Sequence, residues 1–243
     1  MADVVRLAVW SGPRNISAAL MRAWENREDS VVLDEPFYAH YLAATGLDHP
    51  GRDEVIAAGE ADWRRVVDTL LGPVPEGVAV FYQKHMNGHL LPEIDRGWIR
   101  VLTDVLLIRD PREVVASYTK ARASVTPDDI GLPAQLRLHE ELTSAGVAMP
   151  AVDAADFLRE PEAYLRAPCA YAGVPFTERM LHWPPGRRAS DGVWAPYWYA
   201  AVERSTGFAP HRPRNPELTG PDAEVAAECL PLYERLRAHR LRL

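Results

Sequence analysis

Four short apolar runs along the chain each stop at a polar segment and give way to a helical repeat, and this alternation constrains the fold most. Val4–Trp10, Val31–Leu33, Val78–Gln83 and Val101–Ile108 have the length and composition of buried strands. Between them lie amphipathic stretches. Ile16–Trp24 places Ile16, Leu20 and Trp24 on one helical face, and Arg52–Leu71 reads as one long helix with Val55, Ile56, Trp63, Val66, Val67 and Leu70 at spacings of three and four. Asp110-Pro111 opens a further helix carrying Val114, Val115 and Tyr118, since the first helical turn has no use for the N–H that proline lacks. Val152–Phe157 is a candidate strand edge, Glu162–Ala172 a helix, and Ala223–His239 a final helix after a tail rich in Pro, Arg, Trp and Tyr. Strands alternating with helices predict an α/β fold in three layers, a central, mainly parallel sheet flanked by helices. A chain of 243 residues suits one domain spanning residues 1–243.

The bulk numbers narrow the function classes. Net charge is −7, so general attraction to nucleic acid or to acidic membranes is not expected, and any anionic ligand must be drawn by a local group of arginines. Two cysteines, Cys169 and Cys229, are too few for a disulfide framework or a Cys-rich zinc site. No apolar run approaches the roughly 20 residues that span a bilayer, and the N-terminal stretch reads as a first strand, not a signal peptide, so the expected location is the cytoplasm.

In parallel sheets ligands sit beyond the carboxyl ends of the strands, and four segments at such ends hold the chemistry. The first is Ser11-Gly12-Pro13-Arg14-Asn15-Ile16-Ser17, a turn entering a helix. Free N–H groups and the helix dipole favour an anion there, Arg14 adds a forked cation and Ser17 a hydroxyl. The second glycine and the lysine of a nucleotide-kinase loop are absent. The segment therefore suits either an anion cradle or a plain βα connection with a solvated arginine. In the second segment Arg109 ends a buried strand and Ser117 lies eight residues on, so both can share a ligand group, unless Arg109 simply pairs with Asp110 or Asp34. The third holds Lys84, His85 and His89. His85 reads as a general base or as a structural, hydrogen-bonded histidine. Met86 stands where the glutamate of a His-Glu-x-x-His zinc site would be, so no metal is expected. In the fourth, Asp34-Glu35, one carboxylate is expected to neutralise Arg14 or Arg109.

Taken together these segments resemble the sulfotransferases that use 3′-phosphoadenosine-5′-phosphosulfate (PAPS). Pro13 to Ala18 falls on that family's Pro-Lys/Arg-Ser-Gly-Thr-Thr loop, departing from it at Ile16 and Ala18. Arg109, Asp110, Pro111 and Ser117 match its Arg-Asp-Pro…Ser stretch, and His85 stands seven residues before Pro92, the spacing of its Lys-Thr-His-Leu-Pro histidine. Arg187, Arg188, Gly192 and Trp194 keep positions of its late Arg-Lys-Gly-x-x-Gly-Asp-Trp segment, with Ala189 and Val193 replacing Gly and Asp. The resemblance implies a P-loop-type fold and sulfuryl transfer from PAPS to a hydroxyl or amine of a small acceptor, leaving 3′,5′-ADP, with no metal. It implies His85 as base, with His89 or Glu35 next in line, and Arg14 and Lys84 as stabilisers of the leaving phosphate. Ser11 to Ser17 would hold the 5′-phosphosulfate, and Arg109, Ser117, Arg187, Arg188 and Trp194 the rest of the nucleotide. Glu35, Tyr38 and His89 would meet the acceptor. A small-molecule kinase on a P-loop scaffold and a non-catalytic nucleotide-binding protein of the same fold are the alternatives. Oligomeric state is not readable from the sequence.

Overall fold

A computed structural model describes residues 4–120, 122, 124–212 and 216–241. The chain runs β1 (Val5–Ser11), α1 (Ser17–Glu25), β2 (Ser30–Asp34), α2 (Tyr38–Thr45), α3 (Arg52–Ala58), α4 (Trp63–Leu71), β3 (Val80–Met86), β4 (Thr103–Ile108), α5 (Pro111–Tyr118), α6 (Pro127–Ile130), α7 (Leu132–Ser144), β5 (Ala151–Asp153), α8 (Ala154–Arg159), α9 (Pro161–Tyr171), α10 (Ala195–Trp198), α11 (Ala200–Glu203) and α12 (Gly220–Arg237). The five strands form one sheet in the order β2-β3-β1-β4-β5, and every pairing is parallel. The three-layer α/β architecture expected from the sequence is the one observed.

Each sheet face builds its own core because alternate residues of a strand point to opposite sides. On one face Ala8, Trp10, Leu106 and Ile108 pack with residues of α4, α5, α7 and α12. On the other, Leu7, Val9, Tyr82, Val105 and Leu107 pack with Leu20, Met21 and Trp24 of α1 and Leu165 and Cys169 of α9. Strands buried on both faces read as continuous apolar runs, which is why they stood out in the sequence.

Two elements differ from expectation. The helix predicted over 52–71 is two helices: Gly59 adopts an extended conformation, and Asp62 then caps α4 by accepting from the Arg64 N–H at 3.0 Å. The strand edge expected over 152–157 ends at Asp153, whose side chain accepts from the N–H groups of Ala155 and Asp156 and starts α8, so Phe157 is helical. In both cases a local side-chain cap overrides the apolar periodicity.

The chain leaves β1 toward β2 and β3 on one side and continues to β4 and β5 on the other. That reversal opens a crevice beyond the carboxyl ends of β1, β3 and β4.

Candidate active site

A cavity of about 1250 Å³ occupies this crevice. Its wall includes the loop from Pro13 to Ala19, the segments after β2 and β3, Arg109, Ser117 and residues of α7 and α10–α11. It collects Arg14, Lys84, Arg96, Arg109, Arg122 and Arg137 in a chain whose net charge is negative. The same wall carries the carboxylates of Glu35, Asp95, Asp128, Asp129 and Glu141, so the cations are gathered locally but largely balanced.

The loop after β1 is held from several sides. Gly12 packs so closely on α6 that a Cβ there would stand 2.4 Å from the carbonyl oxygen of Ile130. Asn15 donates to the carbonyl of Leu107 at 2.8 Å and accepts from the Ile16 N–H at 3.0 Å. No side chain caps α1, and its first residues, Ser17, Ala18 and Ala19, lie on the cavity wall. Ser11 and Ser17 are buried, Ser11 against the Met86 sulfur.

Arg14 has φ 55°, and the other non-glycine residue with positive φ among those described is Glu35, at 43°. Left-handed backbone costs a non-glycine residue on the order of 1–2 kcal/mol, and both instances lie on the cavity wall. The Arg14 guanidinium donates to the Ser117 hydroxyl at 3.0 Å, while Arg109 donates to the Arg14 carbonyl at 2.8 Å and pairs with Glu113 at 2.7 Å. The structure thus brings Arg14, Arg109 and Ser117 together, with Ser117 bonded to Arg14 and Arg109 paired with Glu113.

Beneath the loop lies a buried ionic group. Lys84, on β3, donates to Asp34 Oδ1 at 2.8 Å, to Glu35 Oε1 and to the Tyr199 hydroxyl at 2.9 Å. Tyr199 in turn donates to Asp34 Oδ2 at 2.7 Å. Burial pulls the Lys84 ammonium toward neutrality, but Asp34 and Glu35 outweigh it and hold its pKa well above the ordinary value. The carboxylates expected to neutralise Arg14 or Arg109 are therefore spent on Lys84, and the acidic partner of Arg109 is Glu113.

The histidines separate. His85 does not line the cavity: its ring stacks on Trp10, with centroids 4.1 Å apart, beside Phe37 and Trp98 on the opposite face of the sheet. Burial first, then His89 and Lys84, lower its pKa to about 3. The expectation that His85 meets an acceptor fails for a geometric reason. Lys84 and Met86 face the cavity, so the intervening residue must face away. His89 does line the cavity, between the rings of Tyr38 and Tyr41 at 4.6 Å each, with Nδ1 3.9 Å from Glu35 Oε2. Burial, helped by Lys84 and His49, holds it neutral, well below its usual range.

The late segment also differs from expectation. Arg187 and Arg188 are not on the cavity wall. Arg188 donates to the Pro184 carbonyl at 3.1 Å, and its N–H is taken by Asp191, which pairs with the buried Arg22 at 2.7 Å. Trp194 stands edge-on to Tyr38 with centroids 5.2 Å apart and packs in the core. The aromatic residues that reach the cavity are Tyr38, Tyr41, Tyr118, Trp198, Tyr199 and Phe208. Tyr199, in the tail rich in Pro, Arg, Trp and Tyr, lies on the cavity wall with partners unanticipated from the sequence: nothing in a linear pattern pairs it with Asp34 or Lys84.

Among the described residues no group of three or more His, Cys, Asp or Glu side chains is placed to hold a metal ion, and no helix is long and apolar enough to cross a membrane.

Comparison with known proteins adds three findings. A family model described as a sulfotransferase domain matches residues 5–240. Two curated proteins of Arabidopsis thaliana, branched-chain-amino-acid aminotransferase-like proteins 2 and 1, are each 35% identical, over 95% and 98% of this chain. The chain spans only 41% and 43% of their lengths. Among solved structures, the sulfotransferase domain from the curacin biosynthetic pathway aligns at a TM-score of 0.55 and 13% identity, covering 94% of this chain and 98% of that one. The sulfotransferase domain of the Synechococcus PCC 7002 olefin synthase gives 0.53 and 15%, covering 99% and 96%. A sulfotransferase from Alicyclobacillus acidocaldarius gives 0.56 and 13%, covering 99% and 98%. At these identities the likeness is one of fold.

Proposed function

The chain belongs to the sulfotransferase domain family, and from that premise we propose that it transfers a sulfuryl group from PAPS to a hydroxyl or amine of a small acceptor within the cavity. The observation that carries this reading is Arg14: a strained, left-handed arginine at the head of an uncapped helix, tied through Ser117 and Arg109 to the next strand–helix turn. Strain held at one point by two long-range contacts fits a backbone shaped for an anion.

PAPS, when bound, supplies the activated sulfuryl group and departs as 3′,5′-ADP. The N–H groups at the start of α1 hold the phosphosulfate end, and Arg14 and Lys84 balance the charge that grows on the leaving phosphate. Preorganised donors of this kind contribute about 3–4 kcal/mol each to such a step. Arg109 and Ser117 face the 3′-phosphate. Glu35 and His89 act at the acceptor: the neutral imidazole takes the acceptor's proton, and the Glu35 carboxylate 3.9 Å away stabilises the imidazolium that results. This assigns the base to His89 in place of His85, whose ring is shut behind Trp10.

Aminotransferase chemistry is not carried over from the names of the plant relatives, because the match covers about two-fifths of those proteins and falls on a sulfotransferase domain.

Labelled PAPS offered with a panel of small alcohols, phenols and amines tests the reading. Transfer to at least one acceptor is expected. His89→Ala is expected to abolish it while leaving 3′,5′-ADP binding intact, and Arg109→Ala to weaken 3′,5′-ADP binding at least tenfold more than 5′-AMP binding. Binding of 3′,5′-ADP with no acceptor sulfated would mark a non-catalytic nucleotide-binding protein, and Mg-ATP turnover a kinase.

A further inference from the structure

Resting on that reading, we propose that Arg122 is the specificity-determining residue of the acceptor subsite, and that the acceptor is a flat apolar molecule carrying a carboxylate besides the hydroxyl or amine that is sulfated. Arg122 lies one turn beyond α5, where its N–H donates to the Tyr118 carbonyl at 3.1 Å, and it is half-buried on the cavity wall. Its guanidinium stands 5.9 Å from the centroid of the Trp198 ring. The other cations of this wall are differently placed. Arg14, Lys84, Arg96 and Arg109 are each tied to protein oxygens, and Arg137 is exposed on α7. Arg122 is the half-buried cation that, among the described residues, has no ion pair and no side-chain hydrogen bond.

Its neighbours put Arg122 on the His89 side of the cavity. Burial raises the pKa of Tyr38, Tyr41 and Tyr118 and lowers that of His49, and the Arg122 charge acts downward on all four. Tyr38 and Tyr41 are the rings that enclose His89, and the Tyr38 hydroxyl meets His49 Nδ1 at 3.0 Å. Leu47, on the same wall, is an apolar side chain left 44% exposed. Aromatic rings and an open leucine around a base suit a flat apolar body, and a guanidinium fork among them suits a carboxylate. The nearby acids are engaged elsewhere or exposed. Asp129 Oδ2 accepts from the Thr126 N–H and hydroxyl at 2.8 and 2.7 Å, Glu35 pairs with Lys84, and Asp48 and Asp128 are exposed. Because carboxylates already share this wall, a singly charged acid suits it better than a phosphate dianion.

4-Hydroxybenzoate and 4-hydroxyphenylacetate, each beside its uncharged primary amide, test this in the full chain with PAPS as donor. Wild type is expected to use at least one acid with a kcat/KM about ten- to a hundredfold above that of its amide, the range of a hydrogen bond to a charged group. Arg122→Gln is expected to bring acid and amide to within about threefold of each other, and Arg122→Lys, which keeps the charge, to retain a clear preference for the acid. In both variants the Kd for 3′,5′-ADP by calorimetry is expected to stay within about threefold of wild type, because Arg122 does not belong to the Arg14–Arg109–Ser117 group. Equal use of acid and amide by wild type, a preference untouched by Arg122→Gln, or failure of both acids while an uncharged phenol is sulfated would overturn the proposal. So would a larger loss of 3′,5′-ADP binding, which would assign the cation to the nucleotide. If wild type transfers nothing from PAPS to any acceptor, the sulfotransferase reading falls, and calorimetry of acid against amide in the presence of 3′,5′-ADP decides the role of Arg122. Tighter binding of the acid that Arg122→Gln abolishes supports that role, and no difference overturns it.

Discussion

Asp104 offers a test of the structure that does not depend on the reaction. It sits in the middle of the sheet on β4, fully buried, with Oδ1 accepting from Trp10 Nε1 at 2.8 Å and Oδ2 without a partner. Burial, only partly offset by the Trp10 hydrogen bond, raises its pKa to about 7. In the unfolded chain the same carboxyl titrates near 3.9. Between those values the folded protein holds a proton that the unfolded chain has lost, so stability falls as pH rises. The loss is about 1.4 kcal/mol per pH unit near pH 5 and about half that at pH 7, where the folded carboxyl is half-titrated, or roughly 2.3 kcal/mol from pH 5 to 7. Asp104→Asn keeps an acceptor for Trp10 and removes the titration. Its Tm relative to wild type is expected to climb by about 5–10 °C across that range, at roughly 2–4 °C per kcal/mol for a chain of this size. Thermal melts of both proteins at half-unit steps from pH 5 to 8 read this directly, since every other titration cancels in the difference. A constant difference, within 2 °C, would refute the assignment of a buried, proton-holding carboxyl at position 104.

Two further outcomes follow from the loop. Arg14→Gly removes the left-handed strain at φ 55° and is expected to leave stability unchanged or raised by up to about 1 kcal/mol, while 3′,5′-ADP binding by calorimetry weakens at least tenfold; a clear loss of stability would contradict the strain. Gly12→Ala drives a Cβ to 2.4 Å from the Ile130 carbonyl oxygen, so a loss of about 1–3 kcal/mol is expected in denaturant melts together with weaker nucleotide binding, and a neutral variant would show that loop and α6 are not in contact.

Much of the fold was legible because both faces of the sheet are covered. Val101–Ile108 carries no polar side chain apart from Thr103 and Asp104, and such a run has few fates other than a central strand. The Arg14–Arg109 pair was legible for a related reason: each residue sits within three positions of a strand end, and a parallel sheet brings all its carboxyl ends to one edge, while Ser117 joins them from the last turn of α5. Tyr199 obeys no such rule. It reaches Asp34 across 165 positions, from a tail whose path is set by packing of α10 and α11 and not by any strand. The arginines at 187 and 188 failed for the same reason, since Asp191 turns inward to Arg22 and fixes the segment away from the cavity.

His85 shows where a motif and a strand disagree. Counting back from Pro92 puts His85 on the histidine of the Lys-Thr-His-Leu-Pro motif, but then Gln83 must serve as the motif's lysine. Gln83 and His85 share the face that packs on α4 and Trp10; Gln83 donates to the Leu70 carbonyl at 3.0 Å. Lys84 and Met86 share the face that meets the cavity. A slip of one residue on a strand exchanges its two faces, so the lysine and the histidine of this stretch cannot both be catalytic while β3 stays regular. The cavity lies on the face of Lys84 and Met86, so that face, and not the face of Gln83 and His85, is the one the proposed site uses. Once Lys84 is placed on the motif's lysine, the histidine position falls to Met86, a thioether with no proton to accept at neutral pH. On the reading proposed above, the base comes from beyond the strand, where the 3₁₀ turn Asn87–His89 brings His89 back to the cavity beside Glu35.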